Sequence, residues 1–192
     1  MNSIPNREKT FALLREYNSN ESLVRHALAV ESVMIHFAKL LGEADLEKWG
    51  NIGLIHDLDY GMYPDDHCRK TLEILVENHW PAEYIHAVMS HGYGLCTEVL
   101  PEAPMEKVLY ATDELTGLIT ATVLMRPDKS IHQLEVKSVM KKWKQKSFAA
   151  GVNREVIENG ARMLSMEIDD LVRETIEGMK PVAKELGLDG IL

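Results

Sequence analysis

The chain has 192 residues, of which 45% are apolar and 27% charged, and a formal charge of −9. That length supports one sizeable hydrophobic core, and the composition excludes a collagen-like, low-complexity or intrinsically unfolded polymer. The acidic balance argues against a nonspecific binder of nucleic-acid polymers, while leaving room for a small anionic substrate in a locally positive pocket.

The N-terminal MNSIPNREKTFALL lacks the basic start and long apolar middle of a secretory signal. No apolar run reaches bilayer-spanning length, so a cytoplasmic protein without a membrane partner is expected. Helical periodicity then dominates the chain, and alternating strand-like runs are nearly absent. The expectation is an all-α, single-domain helical bundle. NESLVRHALAVESVMIHFAKLLG is bounded by an N-capping Asn20 and by Gly42, with apolar residues every three or four positions between them. A second helix should run from Asp45 into NIGLIHDLDYG, followed by the loop DYGMYPDD and a helix from about Cys68 to Asn78. Pro81 opens the next helix and Gly92 follows its end. MEKVLYATDELTGLITATVLM and LEVKSVMKKWKQKSF should be helical, as should 153–163 and 168–186. The punctuation at LMRPDKS reads as a turn within one domain. Cys68 and Cys96 are too few and too far apart for a thiolate zinc site or a disulfide framework and are expected as reduced thiols.

Ionisable residues fall on apolar faces of three of these helices. His26 precedes Val30, Val33 and Phe37 by four, seven and eleven residues, and so continues an inward stripe. His36, with Arg25, Ser32 and Lys39 around it, reads as solvated. His56 extends Trp49 and Ile52, and Asp57 lies above Gly50 and Gly53, where missing side chains let another helix approach closely. Asp113 lies one turn from Leu109 and Gly117. Because neighbouring helical residues point about 100° apart, Asp113 rather than Glu114 is taken as the inward acid. A buried carboxylate is costly without a compensating cation. Mixed imidazole and carboxylate donors suit Mn, Fe, Co, Ni or Zn better than an oxygen-only cage for Ca or Mg.

RHALAVE, LIHDLDY and ATDELTG together resemble the H…HD…D pattern of the HD-domain superfamily of metal-dependent phosphohydrolases, and the chain is most similar to its small HDIG-type hydrolase proteins. The resemblance implies an HD-type bundle with its metal-site core at about 20–125 and a helical extension at about 130–192 packed on it. It implies His26, His56, Asp57 and Asp113 as ligands of a divalent transition metal. His67 and His91 stand where two-metal members place further ligands, so one ion is expected with provision for a second, and Asp57 would bridge the two.

The sequence departs from that pattern in places. It reads HDLDY rather than HDIGK, placing Tyr60 where some relatives have a phosphate-contacting lysine. Cys68 follows His67 in place of proline, and Thr71 replaces a glycine. The GYP element is absent, so hydrolysis of cyclic dinucleotides is not carried over.

The reaction implied is hydrolysis of a nucleotide or other small phosphate ester by a metal-activated water. Asp57 would act at the metal, and Asp59 would handle a proton or orient water, unless it is a helix-end or loop carboxylate facing solvent. Tyr60, Arg126, Lys137 and Lys141 are the candidate substrate contacts, the lysines belonging to a basic run that a solvated helix face would also explain. His86 is placed at the surface or pocket rim and His79 in a loop or cap. Two other readings are kept: a di-iron oxygenase of the same fold, and a non-catalytic metal-containing sensor.

Overall fold

The computed structural model describes residues 5–190, and regular structure among them is helical, with two isolated β-bridges and no strand. The helices are α1 (Arg7–Tyr17), α2 (Glu21–Leu40), α3 (Leu46–Ile55), α4 (Arg69–Glu77), α5 (Ala82–Ser90), α6 (Pro104–Leu124), α7 (Val136–Trp143), α8 (Arg154–Leu164), α9 (Ile168–Met179) and α10 (Ala183–Leu186). None of the described helices is long and apolar enough to cross a membrane.

Local chemistry sets most of the boundaries. Asn20 and Asp45 cap α2 and α3 by accepting from Ser22 N at 2.8 Å and Lys48 N at 3.0 Å. Glu106 fastens the start of α6, its Oε2 accepting from Glu102 N at 2.7 Å and Ala103 N at 2.9 Å. Ser165, in a left-handed conformation, closes α8. The sequence predicts one helix over 168–186, but α9 stops at Met179 and a short 3-10 turn at Lys180–Val182 precedes α10. Pro181 has no N–H to continue the ladder, and its ring crowds the preceding turn.

Helix α1 is an addition to the elements expected from the sequence. Asn6 caps it, and Thr10 and Leu14 are its buried residues. Arg7 ties it to α2, donating Nε–H to Glu31 Oε1 at 2.5 Å and its terminal N–H to Oε2 at 2.9 Å. Asn18, just past its end, donates to Leu58 O at 2.7 Å and accepts from Gly61 N at 3.1 Å. A helix outside the motif therefore holds the turn that leaves it.

The long helices α2 and α6 pack together at the centre, with α3 and α9 against α2 and α8 across α6. Val30, Val33, Met34 and Phe37 of α2 meet Ile52 and Ile55 of α3 and Leu115, Leu118 and Ile119 of α6 in one continuous core. Close approach is built in at two glycines. A Cβ on Gly53 would stand 3.1 Å from the Glu31 backbone in α2, and one on Gly160 would stand 2.5 Å from Ala111 Cα in α6. His36 is half-buried rather than solvated: its Nε2 meets Glu174 Oε2 of α9 at 2.8 Å, so the polar face of α2 is itself covered.

Candidate metal centre

Six side chains from five parts of the chain meet at one end of the α2–α3–α6 packing. His26 comes from α2, and Asp113 from α6. His56 and Asp57 end α3, where the helical path runs on through His56 into a series of turns. His67 follows the short turn at Pro64–Asp66, and His91 ends α5.

The first four form a tight group. His26 Nε2 is 2.9 Å from Asp113 Oδ1 and 3.8 Å from Asp57 Oδ2. His56 Nε2 is 3.2 Å from Asp113 Oδ1, 3.5 Å from Asp57 Oδ2 and 3.2 Å from His26 Nε2. The remaining pair forms a second group on the other oxygen of Asp57: His67 Nε2 and His91 Nε2 lie 3.5 and 3.4 Å from Asp57 Oδ1 and 3.3 Å from each other. Donors about 2.0–2.2 Å from a common ion stand about 3.0–3.5 Å apart in octahedral or tetrahedral geometry, so both sets have the edge lengths of a coordination shell. Asp57 faces both.

All four imidazoles are turned the same way. His56 Nδ1 donates to Gly53 O at 2.8 Å, His91 Nδ1 to Val88 O at 2.5 Å, and His67 Nδ1 to Asp59 Oδ1 at 2.7 Å. Thr116 donates its one O–H to Asp113 O at 2.7 Å, so its oxygen accepts from His26 Nδ1 at 3.2 Å. With every Nδ1 proton engaged, each neutral ring presents the Nε2 lone pair to the centre. Lone pairs and carboxylate oxygens gathered this closely repel unless a proton or a metal ion lies among them.

The electrostatics express that demand. Burial by itself would lower the pKa of fully buried His56, but Asp57 and Asp113 outweigh it and raise it to about 9. Burial would raise the two acids, yet His56 and the other imidazoles hold both below the usual carboxylate range. His67 is also raised, its hydrogen bond to Asp59 and the charge of Asp57 overcoming its desolvation.

These groups open on a cavity of about 400 Å³, a volume suited to a small molecule. Tyr60 and Leu95 also line it, as do Gly151 and Val156, so the C-terminal extension forms part of the wall and the 20–125 segment alone does not enclose the site. Glu114 lines it beside Asp113, where the sequence reading admits only one inward acid. A cavity at the side of α6 accommodates both directions. Glu114 Oε2 accepts from Asn153 N at 3.1 Å, and burial, with the adjacent Asp113 charge, pushes its pKa up to about 7.

Several expected roles are corrected. Asp59 is fully buried behind His67 and faces neither substrate nor solvent; its other oxygen accepts from Thr71 N at 2.8 Å, and Thr71 Oγ1 accepts from Asp59 N at 3.2 Å. It is a positioning group, and Thr71 is its lock. Arg126 is bound bidentately by Asp128, at 2.9 and 2.7 Å, away from the cavity. Lys137 is 81% exposed and paired with Glu135, and with Lys141 it borders a separate surface groove. Among the described residues, no lysine or arginine lines the cavity. Tyr60 does, its ring edge-on to His67 with centroids 5.2 Å apart. Cys68 and Cys96 are not separate thiols but a disulfide, because the segment after α5 brings Cys96 back to the start of α4. His86 is at the surface, bonded to Glu106 Oε1 at 2.9 Å, and His79 follows α4 in a left-handed turn. No protein-family model matches the chain, and neither the curated proteins nor the solved structures compared with it give a significant match.

Proposed function

We propose that the protein is a metal-dependent phosphohydrolase of the HD-domain kind, acting on a small phosphate monoester with Asp57 shared between two divalent transition ions. One observation carries this reading: four imidazoles, each held by its Nδ1 proton, aim Nε2 at the two oxygens of one aspartate, which divides them into two groups of coordination-shell dimensions. The donors are nitrogen and carboxylate oxygen, which fits Mn, Fe, Co, Ni or Zn.

When bound, such ions neutralise charge on a phosphoryl group and acidify a water molecule. The chain supplies the rest. Glu114 lines the cavity beside Asp113, with a pKa suited to taking or giving a proton near neutrality. Leu95 and Val156 form an apolar wall that limits bulk water, and the Tyr60 hydroxyl is available to orient substrate. With no lysine or arginine lining the cavity, charge recognition of phosphate falls to the ions, which favours a compact monoester over a polyphosphate chain.

That same lack of cationic lining supports a second reading, a di-iron oxygenase whose substrate need not be anionic. Substrate-dependent oxygen consumption by the iron form, without phosphate release from an ester panel, selects it. The primary test is elemental analysis of protein purified without added metal, with the panel run alongside. Wild type should hold close to two ions, His67→Ala about one, and Asp57→Ala neither ion nor activity. Wild type without transition metal, or an Asp57→Ala protein with unchanged content and turnover, overturns the proposal.

A further inference from the structure

The second ligand group has a sulfur beside it. Cys68 directly follows His67, and its Sγ lies within 4.8 Å of a ring nitrogen of His67 and of one of His91. It is 1% exposed, at the N-terminal end of α4, where the helix favours negative charge. Its φ of +66° is unusual for a residue with a side chain, and the side chain it carries is buried. Cys96, its disulfide partner, is exposed and borders both the ligand-lined cavity and an apolar groove outside it. The residue after His91 is Gly92, where a Cβ would stand 2.8 Å from Cys68 Sγ and collide with Cys96 Sγ. Gly92 is thus packed against both sulfurs, and Cys68 stands beside the pair of imidazoles that forms the second group.

We propose that Cys68–Cys96 is a thiol–disulfide switch on the second metal site, an inference that rests on the two-ion reading above. In the disulfide, Cys68 offers no thiolate, and the group consists of His67, His91 and one oxygen of Asp57. That leaves coordination positions open, as a catalytic site requires. An external dithiol attacks the exposed Cys96 sulfur, the S–S bond breaks, and Cys68 leaves as thiolate. The second thiol of the reductant then releases Cys96 and closes into its own disulfide, so two electrons move from dithiol to protein. Freed from Cys96, the Cys68 sulfur rotates toward His67 and His91 as a fourth ligand. Reduction therefore closes the second site and shifts its preference toward thiophilic ions such as Zn(II). No cysteine belongs to the first group, which keeps its ligands in both states.

Absorption spectroscopy of the full-length protein loaded with Co(II) tests this, before and after reduction by a phosphine removed under argon. Reduction of wild type should bring up a near-ultraviolet thiolate-to-Co(II) charge-transfer band without loss of bound cobalt. Cys96→Ser should show the band without reductant, and Cys68→Ser should lack it in either state. Reduced wild type and Cys96→Ser that bind cobalt, with visible ligand-field bands but no thiolate band, would overturn the switch and leave the metal centre standing. A band that persists in Cys68→Ser also overturns it. Failure of the oxidised and reduced proteins to bind cobalt at all sinks both the switch and the metal reading.

Discussion

Glu114 and Asp59 exchange the parts that their sequence positions imply. Asp59 follows the histidine–aspartate pair by two residues yet is sealed behind His67, holding that ring by a 2.7 Å hydrogen bond. Glu114, next to an inward acid, reaches the cavity instead. Replacing Glu114 by Gln should leave the bound metal unchanged and lower kcat about 10²-fold, the usual contribution of one positioned proton carrier. The direction of the pH limb identifies its role. A base needs the carboxylate, so activity should rise as pH climbs through about 7 in wild type, and that limb should vanish in Glu114→Gln. A falling limb at the same place would make it the acid. Steady-state profiles of both proteins, with metal content measured in parallel, decide between these outcomes.

At the scale of elements, the motif is delivered by how closely α3 lies on α2. Both Gly50 and Gly53 face α2, but their neighbours differ. A Cβ on Gly50 would meet the tip of Ile35 at 3.0 Å, a flexible end that can yield, whereas on Gly53 it would meet Met34 Cγ at 2.9 Å and Glu31 backbone at 3.1 Å. Gly53→Ala should therefore cost about 1–3 kcal/mol and Gly50→Ala clearly less, by overpacking against a rigid neighbour. Urea denaturation of the two variants checks the order. Gly53→Ala should also weaken metal binding, since the Gly53 carbonyl holds His56 Nδ1. The helix that sequence reading passes over, α1, shows why short elements escape notice. Its N-cap and its apolar Phe11 and Leu14 are present in the sequence, but its burial depends on Glu31 and Leu58, each supplied from elsewhere in the chain.

For the whole molecule, the proposed metal centre makes a proton and a metal ion competitors for one place. In metal-free protein His56 has a pKa raised from 6.5 to about 9, so its contribution to stability is fully present below about 6.5 and is lost as pH rises through 9. Asp57 and Asp113 are lowered, so theirs is present above the usual carboxylate pKa of about 4 and lost as pH falls. The melting temperature of the metal-free protein should be highest between those limits and decline toward pH 9. Metal must displace the His56 proton, so apparent affinity should rise by about tenfold per pH unit for each proton released, levelling above about 9. Calorimetry in buffers of differing ionisation enthalpy counts those protons. A pH-independent affinity over 6–9 would show that His56 is not displaced.

By itself, the sequence determined the helical class, most helix boundaries, and the inward direction of His26, His56, Asp57 and Asp113. These follow from 3.6-residue periodicity, caps and glycine placement, which act over a few neighbouring residues. Only the tertiary structure decided that His67 and His91 converge on the far oxygen of Asp57, that Cys68 reaches Cys96, and that Gly151 and Val156 wall the cavity. Likewise only the fold showed that Arg126 and the lysines lie elsewhere, because a charged side chain on a solvated face has the same local pattern whether or not a pocket opens beside it. Helix formation is set by local hydrogen bonds and side-chain spacing, whereas the convergence of six side chains on one site depends on where separate helices cross, and that is fixed by the packing of the core as a whole.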